Sequence, residues 1–190
     1  MTGPATISLS GCNFDQNQVY DCSVNMPSIM DVNANEWKNQ ISSKPKLRRY
    51  VKYKSSFEAE SYVKAVGLSK RDRSLLCQFR VGILPLRIET GRFRILKDLQ
   101  TNQFRHLTVE ERVCELCNLG QVEDELHFLC HCPLYKDLRE IMYQKANMSE
   151  PEFNGMEVQE KFNYLMKNLW REMCTYISNA WDLRKSNLYH

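Results

Sequence analysis

Four cysteines and two histidines fall within 19 residues of this 190-residue chain: Cys114, Cys117, His127, Cys130, His131 and Cys132. Thiolate and imidazole are the ligands that suit tetrahedral zinc. Cys114-x2-Cys117 is the spacing that lets two thiolates on a tight knuckle share one ion, and Gly120 supplies the permissive backbone such a turn needs. The second pair comes from His127 and one of Cys130, His131 or Cys132. A helical reading of 123–131 puts positions 130 and 131 on the face of His127 and rotates 132 off it. Pro133 biases Cys132 away from the helical region, so the chain can turn there and bring its sulfur inward. The order of preference is Cys132, then Cys130, then His131. Four protein ligands close the coordination sphere, so the expected zinc is structural rather than catalytic.

The remaining chain must position this cluster. With 43% hydrophobic and 26% charged residues, it has material for one domain with a true core. The stretch at 1–35, rich in Asn, Ser, Asp and Gln, reads as a disordered or loosely packed tail. A basic helical region is expected over 36–111. Within it, Phe57–Val66 reads as a short helix, and Ser69 with Asp72 reads as the cap of a second that buries Leu75, Leu76, Phe79 and Ile83. Pro85 must end that helix, and Leu86–Leu99 reads as a turn followed by another. The zinc-binding segment with its following helix spans 112–146, with Leu134, Leu138, Ile141 and Met142 on one side. Over 156–185, Val158, Phe162, Leu165, Leu169, Met173, Ile177 and Ala180 step by three or four. That predicts one amphipathic helix of about six turns, packed on the same core. No strong β alternation is visible, so the fold class is mainly α.

Charge is distributed unevenly. Residues 44–112 carry 17 basic and 7 acidic side chains, whereas 113–190 carry 8 basic and 12 acidic. A strongly basic middle predicts a polyanionic partner such as nucleic acid. The candidate phosphate contacts are Lys70, Arg71, Arg73, Arg80, Arg87, Arg92, Arg94 and Lys97, with Lys46, Arg48, Arg49, Lys52 and Lys54 as a second group. Tyr50, Tyr53 and Phe93 are interleaved with them and suit either base stacking or the core, with core packing the first expectation for Phe93. The run Glu123-Asp124-Glu125 reads as favourable charge at a helix N-terminus rather than as Mg²⁺ ligands. The first ten residues lack a secretory signal, and the longest uncharged apolar stretch, Val81–Leu86, is far short of the ~20 residues of a membrane helix. The expected setting is intracellular, in nucleus or cytoplasm, without a membrane partner and with reduced cysteines.

Cys114-x2-Cys117-x9-His127-x4-Cys132, with Glu125 just before His127 and Pro133 just after Cys132, resembles the zinc-binding segment at the C-terminal end of reverse transcriptases of non-LTR (LINE-type) retrotransposons. Lys46-Leu-Arg-Arg-Tyr50, Glu60-Ser-Tyr62 and the run from Phe79 to Arg92 resemble the stretches that precede it. The run from Glu125 to Tyr135, with Arg139, resembles the segment itself, and Ala180-Trp181 with Arg184 resembles its final helix. The resemblance spans about 37–185 and is most specific over 112–139. It implies Cys132 as the fourth ligand, and a stand-alone C-terminal fragment or derived gene that grips RNA or target DNA. The chain has no Tyr-x-Asp-Asp pair, no Gly-rich phosphate loop and no endonuclease site. The expected function is therefore a non-enzymatic, zinc-stabilised nucleic-acid-binding module, with RNA or single-stranded DNA favoured. The alternatives are a zinc-scaffolded protein-interaction module using the C-terminal helix, or an inactive relic of a retroelement.

Overall fold

A computed structural model describes residues 29–47 and 49–188. The described residues form seven α-helices and one two-stranded sheet, in the order α1 (Ile29–Ser42), α2 (Tyr50–Tyr53), α3 (Lys70–Arg80), α4 (Arg87–Thr90), β1 (Ile95–Lys97), β2 (Phe104–His106), α5 (Lys136–Ser149), α6 (Val158–Asn168) and α7 (Trp170–Leu188). The mainly α class holds. Residues 1–28 of the expected tail lie outside the described residues, and 29–35 form the start of α1.

Local chemistry starts α3 where the sequence predicts. The Ser69 hydroxyl accepts from the Asp72 backbone N–H at 3.0 Å and donates to the Asp72 carboxylate at 2.7 Å. Leu75, Leu76 and Phe79 then face inward, while Ile83 lies beyond the helix and is exposed. Their counterpart is α7, which buries Met173, Cys174, Tyr176, Ile177 and Ala180 along one stripe. This helix is the hub: α3, α5 and α6 all pack against it. Phe128 sits at the centre of the core, its ring 4.7 Å from that of Tyr135, 5.7 Å from Phe79 and 6.0 Å from Tyr176.

Several elements differ from expectation. The long C-terminal helix is two helices, separated at Leu169 (φ −119°, ψ 48°). The break escapes a periodicity count because 165, 169 and 173 keep stepping by four across it. Phe57–Val66 yields only a 3₁₀ turn at Ser61–Val63. Ile141 is exposed, whereas Met142 and Ala146 carry the buried side of α5. The stretch 86–99 holds the short α4, a 3₁₀ turn at Gly91–Phe93 and strand β1, not a second full helix. Gly91 sits where a Cβ would come within 2.6 Å of the Arg112 side chain, so the chain is held flat against that arginine. Arg112 in turn donates to the backbone oxygens of Ile88 and Leu107, both at 3.0 Å. It thereby clamps the base of the β1–β2 hairpin.

Arg80 is one of the core's own supports. It is 5% exposed, donates to the Met166 carbonyl near the C-terminus of α6 and to Glu60 Oε1, and lies over the rings of Tyr53 and Tyr62. A helix's last carbonyls lack intrahelical donors, and a buried guanidinium satisfies one here. Arg80→Ala is expected to lower unfolding free energy in a denaturant titration by about 3–5 kcal/mol. Arg71→Ala, which breaks an exposed pair with Asp182 and an exposed hydrogen bond to the Ser178 hydroxyl, should scarcely move the midpoint.

Candidate metal centre

Residues 112–123 fold back on themselves as a knuckle. Val113 and Val122 form an antiparallel bridge, the Cys114 N–H donates to Gln121 O at 2.9 Å, and the Glu123 N–H donates to Arg112 O at 3.0 Å. Gly120 takes a positive φ of 62° to let the chain reverse. Asp124 then starts the next turn: its carbonyl accepts from the Phe128 N–H and its carboxylate from the His127 N–H, both at 2.9 Å.

From His127 to His131 the backbone winds as a π-type turn, and the Cys132 N–H reaches back five residues to His127 O at 2.8 Å. An α-helix would rotate position 132 away from His127; the wider turn returns it to the same side. Cys132 is extended at φ −57°, ψ 123° before Pro133, as the proline predicts.

The ligand atoms of Cys114, Cys117, His127 and Cys132 all lie within 4.8 Å of one another. Cys114 Sγ is 4.0 Å from Cys132 Sγ, and Cys117 Sγ is 3.4 Å from His127 Nε2. A tetrahedron with zinc–sulfur bonds of about 2.3 Å and a zinc–nitrogen bond of about 2.0 Å has edges of about 3.8 Å and 3.6 Å. The distances fit. This is a Cys3His zinc-binding site.

Cys130 and His131 lie outside the cluster that could hold an ion. The zinc site is set into the body of the protein: Cys114, His127 and Cys132 are buried and Cys117 is half-buried. Gln121 Oε1 lies 3.2 Å from His127 Nδ1, which fixes that nitrogen as the donor and leaves Nε2 for the metal. Glu123 Oε1 lies 3.8 Å from Cys114 Sγ and accepts from Arg184, while Glu123 Oε2 accepts from the Arg87 N–H at 2.9 Å. The zinc knuckle is thus tied to α7 and α4 through one buried carboxylate. Desolvation raises the pKa of Glu123, opposed by the Arg184 charge.

The acidic run 123–125 is used internally, with Asp124 and Glu125 both paired to Arg49. The hydrogen bond with Cys132 and then burial push the Cys114 thiol up to about 12, and burial raises Cys117. The same Cys114–Cys132 contact lowers Cys132. Loading zinc therefore releases protons held at Cys114 and Cys117, so affinity falls as the pH drops.

Comparison of the chain with family models, curated proteins and solved structures finds no match. No described helix is long and apolar enough to cross a membrane.

The basic candidates divide by depth. Arg80 and Arg87 are buried, which corrects their assignment to a phosphate-contacting surface. Arg80 supports the core, and Arg87 bridges to Glu115 at 3.0 Å. Arg73 is half-buried and donates to the backbone oxygens of Tyr62 and Ala65, so it ties the 3₁₀ turn to α3 rather than facing a partner. Lys70, Arg71, Arg92, Arg94 and Lys97 are exposed. In the second group, Lys46 pairs with Glu89, Arg49 with Asp124 and Lys54 with Glu60; Lys52 is exposed and Arg48 lies outside the described residues. Among the interleaved aromatics, Tyr53 is buried and Tyr50 half-buried, but Phe93 is 73% exposed, against the core reading. Gln121 and Glu123 support the zinc site in ways that residue type alone does not reveal, because their parts depend on where the knuckle lands.

Cys114→Ser and His127→Ala are each expected to lose stoichiometric zinc by elemental analysis and to raise amide exchange over 112–146. Cys130→Ser should retain a full equivalent.

Proposed function

We propose that this chain is a non-enzymatic nucleic-acid-binding module whose zinc site is a structural clasp. The reading is supported by what remains at the surface once the internal arginines are set aside. Over 92–106, Arg92, Arg94, Lys97, Arg105 and His106 are all exposed, and the one acidic residue there is Asp98. Arg105, absent from the sequence-based candidates, joins this group from strand β2. Arginine pairs with Glu89, Glu111 and Glu115 at this surface are exposed or part-exposed, so a phosphate chain can exchange with them at little cost.

The closed ligand set leaves no position for an activated water, which suits a scaffold rather than a catalyst. The likeness of Cys114-x2-Cys117-x9-His127-x4-Cys132 to the segment downstream of LINE-type polymerases agrees with a nucleic-acid partner. The apolar stripes of α6 and α7, which a protein-interaction module would offer, are largely occupied: Phe162, Leu165, Met166, Met173, Ile177 and Ala180 are buried within the chain. Within this proposal the family origin is a retroelement-derived one.

A salt titration with a single-stranded oligonucleotide of unrelated sequence tests the reading. Four phosphate contacts from Arg92, Arg94, Lys97 and Arg105 predict a slope of log affinity against log salt near about −3. No binding at low salt would overturn it.

A further inference from the structure

Strands β1 and β2 are three residues each and stand on the body with both faces exposed. Their register pairs Ile95 with His106, Leu96 with Arg105, and Lys97 with Phe104. Directly opposed residues share a face and successive residues alternate. One face therefore carries Ile95, Lys97, Phe104 and His106, and the other carries Leu96 and Arg105. On the second face the two terminal guanidinium nitrogens of Arg105 pair with Glu111 at the solvent. No side chain of the first face has a hydrogen bond, ion pair or ring contact among the described residues, and Phe104 is 75% exposed. Phe93, just before β1, is also exposed, with the Arg92 guanidinium 5.7 Å from its ring centroid.

The hairpin is held in shape although it buries little of itself. Asp98 Oδ1 accepts from the Gln100 and Thr101 N–H groups, and the Asp98 N–H donates to Gln103 O at 2.8 Å, which closes the turn. At the base, Leu107 is buried and Arg112 bonds its carbonyl. Arg112 is two residues from Cys114, so the clasp and the hairpin share one stretch of backbone.

Exposed phenyl rings among cations, on a fixed ribbon, have the chemistry of a surface that stacks unpaired bases while lysine and arginine follow the backbone phosphates. We propose that the Ile95–Lys97–Phe104–His106 face, together with the exposed Phe93 that precedes β1, is a stacking platform for single-stranded nucleic acid. This rests on the nucleic-acid reading above and adds the element and the rings that would hold the ligand. The charge of the segment selects this occupant over a second copy of the chain, whose hairpin would bring the same cations face to face.

The test uses the full zinc-loaded chain and fluorescence anisotropy with a single-stranded oligonucleotide of about 16 nucleotides, alongside the corresponding duplex. Phe93→Ile combined with Phe104→Ile keeps apolar bulk and strand preference but removes the π faces. Phe93→Tyr with Phe104→Tyr keeps the rings. The expected result is a loss of about tenfold or more in single-strand affinity for the isoleucine pair, with an unchanged salt slope and zinc content. The tyrosine pair should bind as the wild type does, and the wild type should prefer the single strand to the duplex.

Equal binding by the isoleucine pair would overturn the platform and leave the nucleic-acid reading standing. Failure of the wild type to bind either ligand would overturn both. Concentration-dependent dimerisation lost in a Lys97→Glu variant, with oligonucleotide binding unchanged, would show that the face pairs copies of the chain and would also overturn the platform.

Discussion

Convergence of three sulfurs and one imidazole on a single point is the constraint around which the rest of the molecule is arranged. The knuckle at 112–123 has a single bridge, and its ligand pair meets a second pair from beyond residue 126. Structural zinc binding contributes on the order of 10 kcal/mol in small domains, comparable with the whole stability of a domain this size. The clasp is also joined to the core on its far side. Phe128 and Leu129 follow His127 into the apolar centre, and the Tyr176 hydroxyl of α7 donates to Phe128 O at 2.7 Å. On its near side, Arg112 extends from the knuckle to hold the base of the hairpin. Core, clasp and exposed ribbon form one continuous path of contacts.

Arginine serves two purposes in this chain, separated by depth. Arg80, Arg87 and Arg184 are buried, each paired with a carboxylate, and the Arg80 guanidinium also meets a carbonyl and two aromatic rings. Arg92, Arg94 and Arg105 are exposed near the hairpin, with carboxylates that hold them weakly. The excess of positive charge over 44–112 therefore overstates the charge offered to a partner. What remains outside is smaller: Arg92, Arg94, Lys97 and Arg105 lie on or just before the hairpin, and Lys44, Lys52, Lys64, Lys70 and Arg71 lie elsewhere along the chain.

The same division marks how far the sequence can be read. Cys114 and Cys117 are legible because their relation is local, set by a knuckle of four residues and a glycine. Cys132 is legible ahead of Cys130 through Pro133, which turns the chain there, whereas no residue type marks the π winding after His127 that carries its sulfur to the site. Arg80 cannot be assigned to the interior from its neighbours, because Glu60 and the Met166 carbonyl lie 20 and 86 residues away along the chain. The cap at Ser69 is readable from adjacent residues alone, whereas the break at Leu169 hides inside an unbroken step of four. Strands of three residues offer too few alternations to reveal a period, so β1 falls within the helix expected over 86–99, β2 gives no signal of its own, and the exposure of Phe93 is hidden with them.

The central claim is that one zinc ion is held by Cys114, Cys117, His127 and Cys132. X-ray absorption at the zinc edge of the purified chain tests it most directly. Three sulfurs at about 2.3 Å and one nitrogen at about 2.0 Å are expected around the metal. A shell containing oxygen, or two sulfurs with two nitrogens, would contradict it.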